Sequence, residues 1–381
     1  MAKKMLFLFV LLLSLTGMLK AQVTTAGMSG KVMADEESVI GATVVAVHEP
    51  SGTSYGTVTN VDGRFSLQGM RSGGPYKVTV SYIGYQTAIY TDIQLQLGET
   101  YSLNVTLHEA SELLGEITIT ASKSKFSAEK TGATTNISSE QLTTLPSINR
   151  SISDFTRISP YASGNSFGGR DGRSNTFTVD GANLNNNFGL SSGLPGGGNP
   201  ISLDAIDEVQ VVIAPYDVRQ ANFIGAGINA ITKSGTNAYR GSAYMYFNNE
   251  VMRGNKIGDT DFGVRAEESK TVYGATFGGP IIKDKLFFFA NVEYEKSPQQ
   301  VITWRAAKEG ETPNNSTISR TTEADLAEFS QILKGKYGYN TGSFTDFPAD
   351  VTNLKLLGRI DWNINQGNKL SVRYNFTNTK T

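Results

Sequence analysis

The chain has 381 residues, enough for two or three domains. Its 34 basic and 35 acidic residues balance, so there is no electrostatic footprint for nucleic acid. With no cysteine and two histidines, it excludes disulfides, a lipoprotein anchor, thiolate metal sites and a cysteine nucleophile.

Met1–Ala21 has a secretory pattern: Lys3 and Lys4, then the apolar run Met5–Leu15, then a small residue, Ala21, for cleavage. A membrane anchor is the alternative. No later apolar run approaches the length of a transmembrane helix. From Gln22 to Glu109 the pattern predicts a compact β unit, with strands at Val39–Val47, Arg64–Leu67, Tyr76–Ile83 and Tyr101–Leu107. Asn60-Val61-Asp62-Gly63 and Ser72-Gly73-Gly74-Pro75 read as hairpin turns. His48 and His108 have no metal-ligand spacing and read as solvent-facing strand ends. The motif Gly56–Phe65 with Ser81-Tyr82-Ile83-Gly84-Tyr85 resembles the carboxypeptidase-regulatory-like, transthyretin-like domain. That resemblance implies an accessory sandwich and no peptidase activity.

A short β-branched run follows, Glu116-Ile117-Thr118-Ile119-Thr120-Ala121, in a polar linker spanning 110–135. An extended segment of this kind adds itself to another protein's sheet edge through main-chain hydrogen bonds. Its other reading is the last strand of the preceding sandwich. The run resembles the TonB box of TonB-dependent transporters, which implies TonB as a partner by strand addition.

Residues 136–238 are rich in Gly, Asn and Ser. They carry Phe167-Gly168-Gly169-Arg170-Asp171-Gly172-Arg173, Phe177-Thr178-Val179-Asp180-Gly181, Ile206–Val212 and Gly225-Ala226-Gly227-Ile228-Asn229-Ala230-Ile231-Thr232-Lys233. These resemble the α+β plug domain of TonB-dependent receptors, with Arg170 near the family's arginine–glycine element. Asp180 and Gly181 fall in its valine–aspartate–glycine, and Gly225 and Gly227 in the glycine-rich strand that closes the plug. Leu194–Pro200 lacks the Lys-Ser/Thr ending of a phosphate loop. Asp180–Asn187 is dense in oxygen ligands but lacks the spacing of a calcium loop.

From Tyr239 onward five stretches, each of about ten residues, alternate with a period of two. Leu286, Phe288, Ala290, Val292 and Tyr294 share one face, with Asn291, Glu293 and Glu295 on the other. Leu354, Leu356, Gly358, Ile360 and Trp362 alternate with Lys355, Leu357, Arg359, Asp361 and Asn363; Leu370, Val372, Tyr374 and Phe376 follow the same rule. The expected strands are Tyr239–Asn248, Lys270–Gly279 and Lys285–Lys296, then two more flanking Asn365-Gln366-Gly367-Asn368. Their connections run long, short (Pro280–Asp284), long (Ser297–Thr352), short, as in an outer-membrane barrel with short periplasmic turns. Phe287–Phe289 and Trp362 near strand ends suit its aromatic girdles. A soluble β-sandwich shows the same alternation, so a secreted adhesin or glycan-binding protein stays open as the other reading.

Gly274–Phe289 resembles the first barrel hairpin of the Oar-like branch of this family. The expectation is thus a mainly β chain in the outer membrane of a Gram-negative bacterium. It runs as signal peptide 1–21, sandwich 22–109, TonB-box linker 110–135, plug 136–238 and partial barrel 239–381. The resemblance implies transport of a small solute, peptide or glycan, contact with TonB and outer-membrane lipid, no cofactor and no enzyme activity. Arg170 and Arg173 are candidates to pair with lumenal carboxylates such as Glu293 and Glu295. A 22-stranded barrel at this pace needs on the order of 600 residues, so the sequence is expected to be a fragment or the product of a truncated gene.

Overall fold

A computed structural model describes residues 24–34, 37–109, 117–120, 133–147, 150–185, 194, 199–215, 217, 220–254, 256–261, 269–300, 304–314, 318–344, 348–365 and 367–380. The expected signal peptide, Met1–Ala21, lies outside them. Two compact units emerge: Met1–Gly241 with Thr276–Asn291 and Leu356–Asn375, and Ser242–Ala275 with Val292–Lys355 and Phe376–Thr381.

The first strands are β1 (Ala26–Ala34), β2 (Glu37–Ser38), β3 (Thr43–His48), β4 (Thr53–Val58), β5 (Arg64–Met70), β6 (Gly73–Ser81), β7 (Ala88–Leu95), β8 (Thr100–Ser102), β9 (Val105–Leu107) and β10 (Ile117–Thr120). They make two sheets. One has the order β2-β1-β5, with β8 and β9 pairing β1; the other has the order β10-β7-β6-β3-β4. Alternate residues of facing strands, among them Met28, Val32, Val44, Ala46, Phe65, Tyr76, Val78 and Val80, fill the core between the sheets. Gly30 in the central β1 has no substitute: a Cβ there would lie 1.8 Å from the Leu103 carbonyl oxygen.

Both expected hairpin turns prove to be crossings between sheets. Asn60–Gly63 does close a turn, with the Gly63 amide donating to the Asn60 carbonyl at 2.9 Å and Gly63 at φ +72°. It joins β4 and β5, however, which belong to opposite sheets. Gly73-Gly74-Pro75 lies inside β6, and the chain changes sheets just before it. His48 is a second correction, being only 6% exposed. Its Nδ1 is 2.7 Å from the Ser51 hydroxyl and its ring packs on Tyr76. Burial, helped by the Arg71 charge, lowers its pKa to about 3, so it stays neutral.

The middle segment contains β11 (Ala133–Ser138), β12 (Ala162–Ser163), β13 (Ser166–Phe167), β14 (Thr176–Val179), β15 (Ala182–Asn183), β16 (Ile206–Ala214) and β17 (Gly227–Thr232). Five of them form a sheet of order β11-β16-β17-β14-β15. Short helices at Ser139–Thr144 and Ile152–Thr156 each begin with a capping box, Ser138 with Gln141 and Ser151 with Asp154. Ile137, Ile152, Phe155, Phe177, Val209, Val211 and Ile228 form a core that also takes in Phe289 and Leu357 from the strands beyond.

Those strands are β18 (Arg240–Asn249), β19 (Lys256–Ile257), β20 (Thr260–Asp261), β21 (Ser269–Ile282), β22 (Leu286–Gln300), β23 (Arg305–Ala307), β24 (Ile318–Thr322), β25 (Pro348–Asn363) and β26 (Lys369–Lys380). The long ones make a sheet in chain order, β18-β21-β22-β25-β26. The expected short connection at Pro280–Asp284 is tighter still, because Pro280–Ile282 belong to β21. The long connection before β25 holds a helix, Glu323–Tyr337, begun by a Thr322–Asp325 capping box and ended by Gly338 in the left-handed region.

Burial in this sheet is inverted relative to a soluble protein. In β25, Lys355 (3% exposed), Arg359 (8%) and Asp361 (4%) are covered, whereas Ile360 (47%) and Trp362 (45%) face outward. In β22, Asn291 and Glu293 are buried and Val292 and Tyr294 exposed. A soluble sandwich would bury the opposite face. The aromatic girdle beside the short turns also differs from expectation. Phe287 and Phe289 point inward, and the outer ring is Tyr239, Phe277, Phe288 and Trp362, with Tyr239 stacked on Phe277.

Candidate functional site

Asp180 and Gly181 are the two central residues of the turn between β14 and β15, at φ +49° and +85°, with Val179 paired to Ala182 across it. A two-residue turn with both centres left-handed matches the twist of a hairpin, which is why Asp-Gly stands there. The turn leaves the Asp180 carboxylate free to reach the end of β17. It accepts from the Thr232 amide at 3.0 Å and the Thr232 hydroxyl at 2.6 Å.

A charge cluster grows from this point. Arg373 of β26 lies 3.5 Å from Asp180. Arg359 of β25 donates to the Thr232 carbonyl and, through Nε and Nη2, to both oxygens of Asp361 at 2.8 and 3.1 Å. Ser371 donates to Asp361 as well, and Arg71 of the sandwich closes on it at 3.1 Å. Three parts of the chain thereby meet around two aspartates. Buried charges of this kind persist only when paired and hydrogen-bonded.

A separate ladder occupies the second unit. Lys355 bonds Glu293 at 2.8 Å and lies 3.7 Å from Glu295, which pairs with Lys270 at 2.8 Å. Tyr244 donates to Glu293 at 2.8 Å, its ring lying where a Cβ on Gly274 would stand.

The sandwich docks on the middle sheet through the Leu97 turn and through Ser72, which hydrogen-bonds Glu208. The Leu97 amide donates to both oxygens of Glu208 at 3.0 and 3.1 Å, and the Leu97 carbonyl accepts from Gln210. Asn136 reaches the same carbonyl at 3.4 Å. Burial, with the nearby Asp207 and Glu99 charges, raises the Glu208 pKa to about 8 against the opposing bond from Leu97.

The expected site residues divide accordingly. Ile117–Thr120 form β10, paired in parallel with β7 in the register Ile117↔Ala88 to Thr120↔Thr91. Glu116 and Ala121 lie outside the described residues. Arg170 closes a turn on Phe167 through Gly168 and Gly169 and is exposed. Arg173 is 54% exposed and pairs at 2.9 Å with Asp171, whose carboxyl is lowered by hydrogen bonds from the Arg173 amide and guanidinium. The charges brought to Glu293 and Glu295 are Lys355 and Lys270 instead of those arginines. Gly225 and Gly227 permit close packing, their Cβ positions falling 2.4 Å from Asn175 and 2.7 Å from Phe223. Arg71, Arg359, Asp361, Arg373 and Glu208 are the functional candidates that sequence reasoning missed. The signal for three of them was a charge at an inward position of β25 or β26.

Apolar outside, ionic inside and a strand order that follows the chain define the outer-membrane β-barrel class. Residues 27–108 match the carboxypeptidase regulatory-like domain, and residues 231–381 an outer membrane beta barrel domain. The TonB-dependent transporter Oar of Myxococcus xanthus is 25% identical over 344 residues, which is 85% of this chain and 30% of that protein. The siderophore receptor PirA of Acinetobacter baumannii aligns at 20% identity and a TM-score of 0.42, covering 65% of this chain and 31% of that one. The outer membrane transporter YddB of Escherichia coli aligns at 15% identity and a TM-score of 0.41, over 65% and 33%. The chain is thus similar to TonB-dependent outer-membrane transporters, and it spans about a third of the length of these relatives.

Proposed function

We propose that this chain supplies the TonB contact, plug and first barrel strands of an active transporter of solutes across the outer membrane. Residues 136–238 are the plug, seated on the polar face of β22, β25 and β26. The sandwich and plug lie on the periplasmic side, where the short turns 283–285 and 364–368 are. Glu116–Ala121 is the TonB box, through which energy from the inner membrane would displace the plug. The observation that carries this reading is the Asp180–Thr232–Arg359–Asp361 cluster, which ties the middle sheet to inverted membrane strands. An adhesin built of soluble sandwiches has no use for strands with buried lysine and exposed tryptophan.

The mechanism follows from the bonds. Strand addition uses main-chain donors and acceptors, so TonB needs an extended box rather than a particular side chain. A pull on the box reaches β11 first and then β16, to which β11 is paired from Ala133 to Ser138. Thr118→Pro removes one donor from the box. The test is binding of a purified periplasmic TonB domain to the detergent-solubilised chain. Loss of binding on the order of tenfold is expected, and equal binding by the proline variant overturns the assignment.

A further inference from the structure

The box candidate is not simply extended: it is the fifth strand of a sandwich sheet, parallel to β7. We infer that the sandwich competes with TonB for the box, its β7 edge holding the strand until TonB displaces it. This inference rests on the box assignment above.

Three observations carry it. First, the sandwich is complete without β10. Its second sheet already has β7, β6, β3 and β4 in hydrogen-bonded order, and the carboxypeptidase regulatory-like match ends at residue 108. Second, the pairing is built to be short. It ends at Thr91, and the next residue, Asp92, has φ +60°, a left-handed backbone that turns the edge away from further strand addition. A strand held by four residues at one edge is readily exchanged for another edge. Third, the docked strand is retracted. It runs parallel to β7, whose far end leads into the Leu97 turn fastened to Glu208 and Gln210. From Thr91 to Leu97 is about 20 Å of strand, so the docked box ends about that far from the anchored turn. The 12 residues 121–132 could span about 40 Å if extended. Release from β7 therefore adds about 20 Å of reach toward a periplasmic partner. It also lets a pull pass directly to β11, whereas a docked box would send it into the sandwich's own anchors.

The chain has no cysteine, so a cysteine pair reports without background. Ile89 and Thr118 are Cα partners in the register, and the full chain carrying Ile89→Cys with Thr118→Cys is the probe. On oxidation the pair should cross-link and the bound TonB domain should fall by about tenfold or more, returning on reduction, because only the released fraction is competent to bind. Equal binding by the oxidised and reduced forms would show TonB adding to the outer edge of β10, and overturns the inference alone. Failure to cross-link in the folded chain also overturns it. Absence of TonB binding by the cysteine-free chain overturns the box assignment, and the competition with it.

Discussion

At the residue scale, two side chains carry separable roles. Asp180 holds Thr232 by two hydrogen bonds and faces Arg373. Asp180→Ala should destabilise the middle segment by on the order of 3 kcal/mol, measured by urea denaturation in detergent, with Asp180→Asn retaining part of that. Gly181→Val should lose about 1–3 kcal/mol through its positive φ alone, whatever happens to the cluster. Glu208 predicts a pH dependence. Its pKa is raised to about 8 when the sandwich is docked, from an ordinary carboxyl value near 4.5. Below the lower value both states are protonated and docking is strongest. Between the two, the undocked state ionises first, so docking weakens as pH rises and levels off above about 8. Protease sensitivity of the Leu97 turn should therefore increase from pH 5 to 8, and Glu208→Gln should flatten that rise.

Elements show where the sequence was legible. Alternation in β22 and β25 disclosed the two faces correctly, because a period of two survives any context. It did not disclose which face met water or lipid; that required the buried Lys355, Arg359 and Asp361. The run Phe287-Phe288-Phe289 offered aromatics of both parities, and only the backbone register assigns Phe288 outward. β1 has no clear signal in the sequence because two glycines and a serine interrupt Ala26–Lys31, yet Gly30 is what admits Leu103 against its backbone. Likewise Asn60–Gly63 announced a turn, but local residues carry no information about which sheet the next strand joins. The inverted faces make a direct prediction. Leu356, at the middle of β25, should tolerate arginine poorly, at about 2–4 kcal/mol in a bilayer-refolding assay. Asn353→Lys on the polar face should be far milder. Equal costs at the two positions would contradict a lipid-facing strand.

For the whole molecule, the unforeseen result is that the sandwich is fastened at both the middle sheet and the membrane strands. Asn363 donates to Thr53 at 2.9 Å, Lys369 sits 3.1 Å above the Tyr55 ring, and Arg71 joins Asp361. Chain order could suggest neighbours, but not that a sandwich arginine would complete an ion cluster some three hundred residues away. The cluster is asymmetric, which fixes its behaviour. Arg71→Ala leaves Asp361 still paired to Arg359 and Ser371, so little buried charge is stranded. Asp361→Ala takes from Arg359 and Arg71 the carboxylate they share, leaving Arg359 its Thr232 carbonyl, and removal of one partner from such a buried group is worth about 3–5 kcal/mol. The arginine change should therefore loosen the sandwich, seen as faster proteolysis between residues 70 and 75, with barrel stability nearly unchanged. The aspartate change should lower both. In the double variant, the loss should be smaller than the sum, because Arg71 is no longer left unpaired. Strict additivity would mean that the two residues act independently and that the Arg71–Asp361 pair does not hold the sandwich.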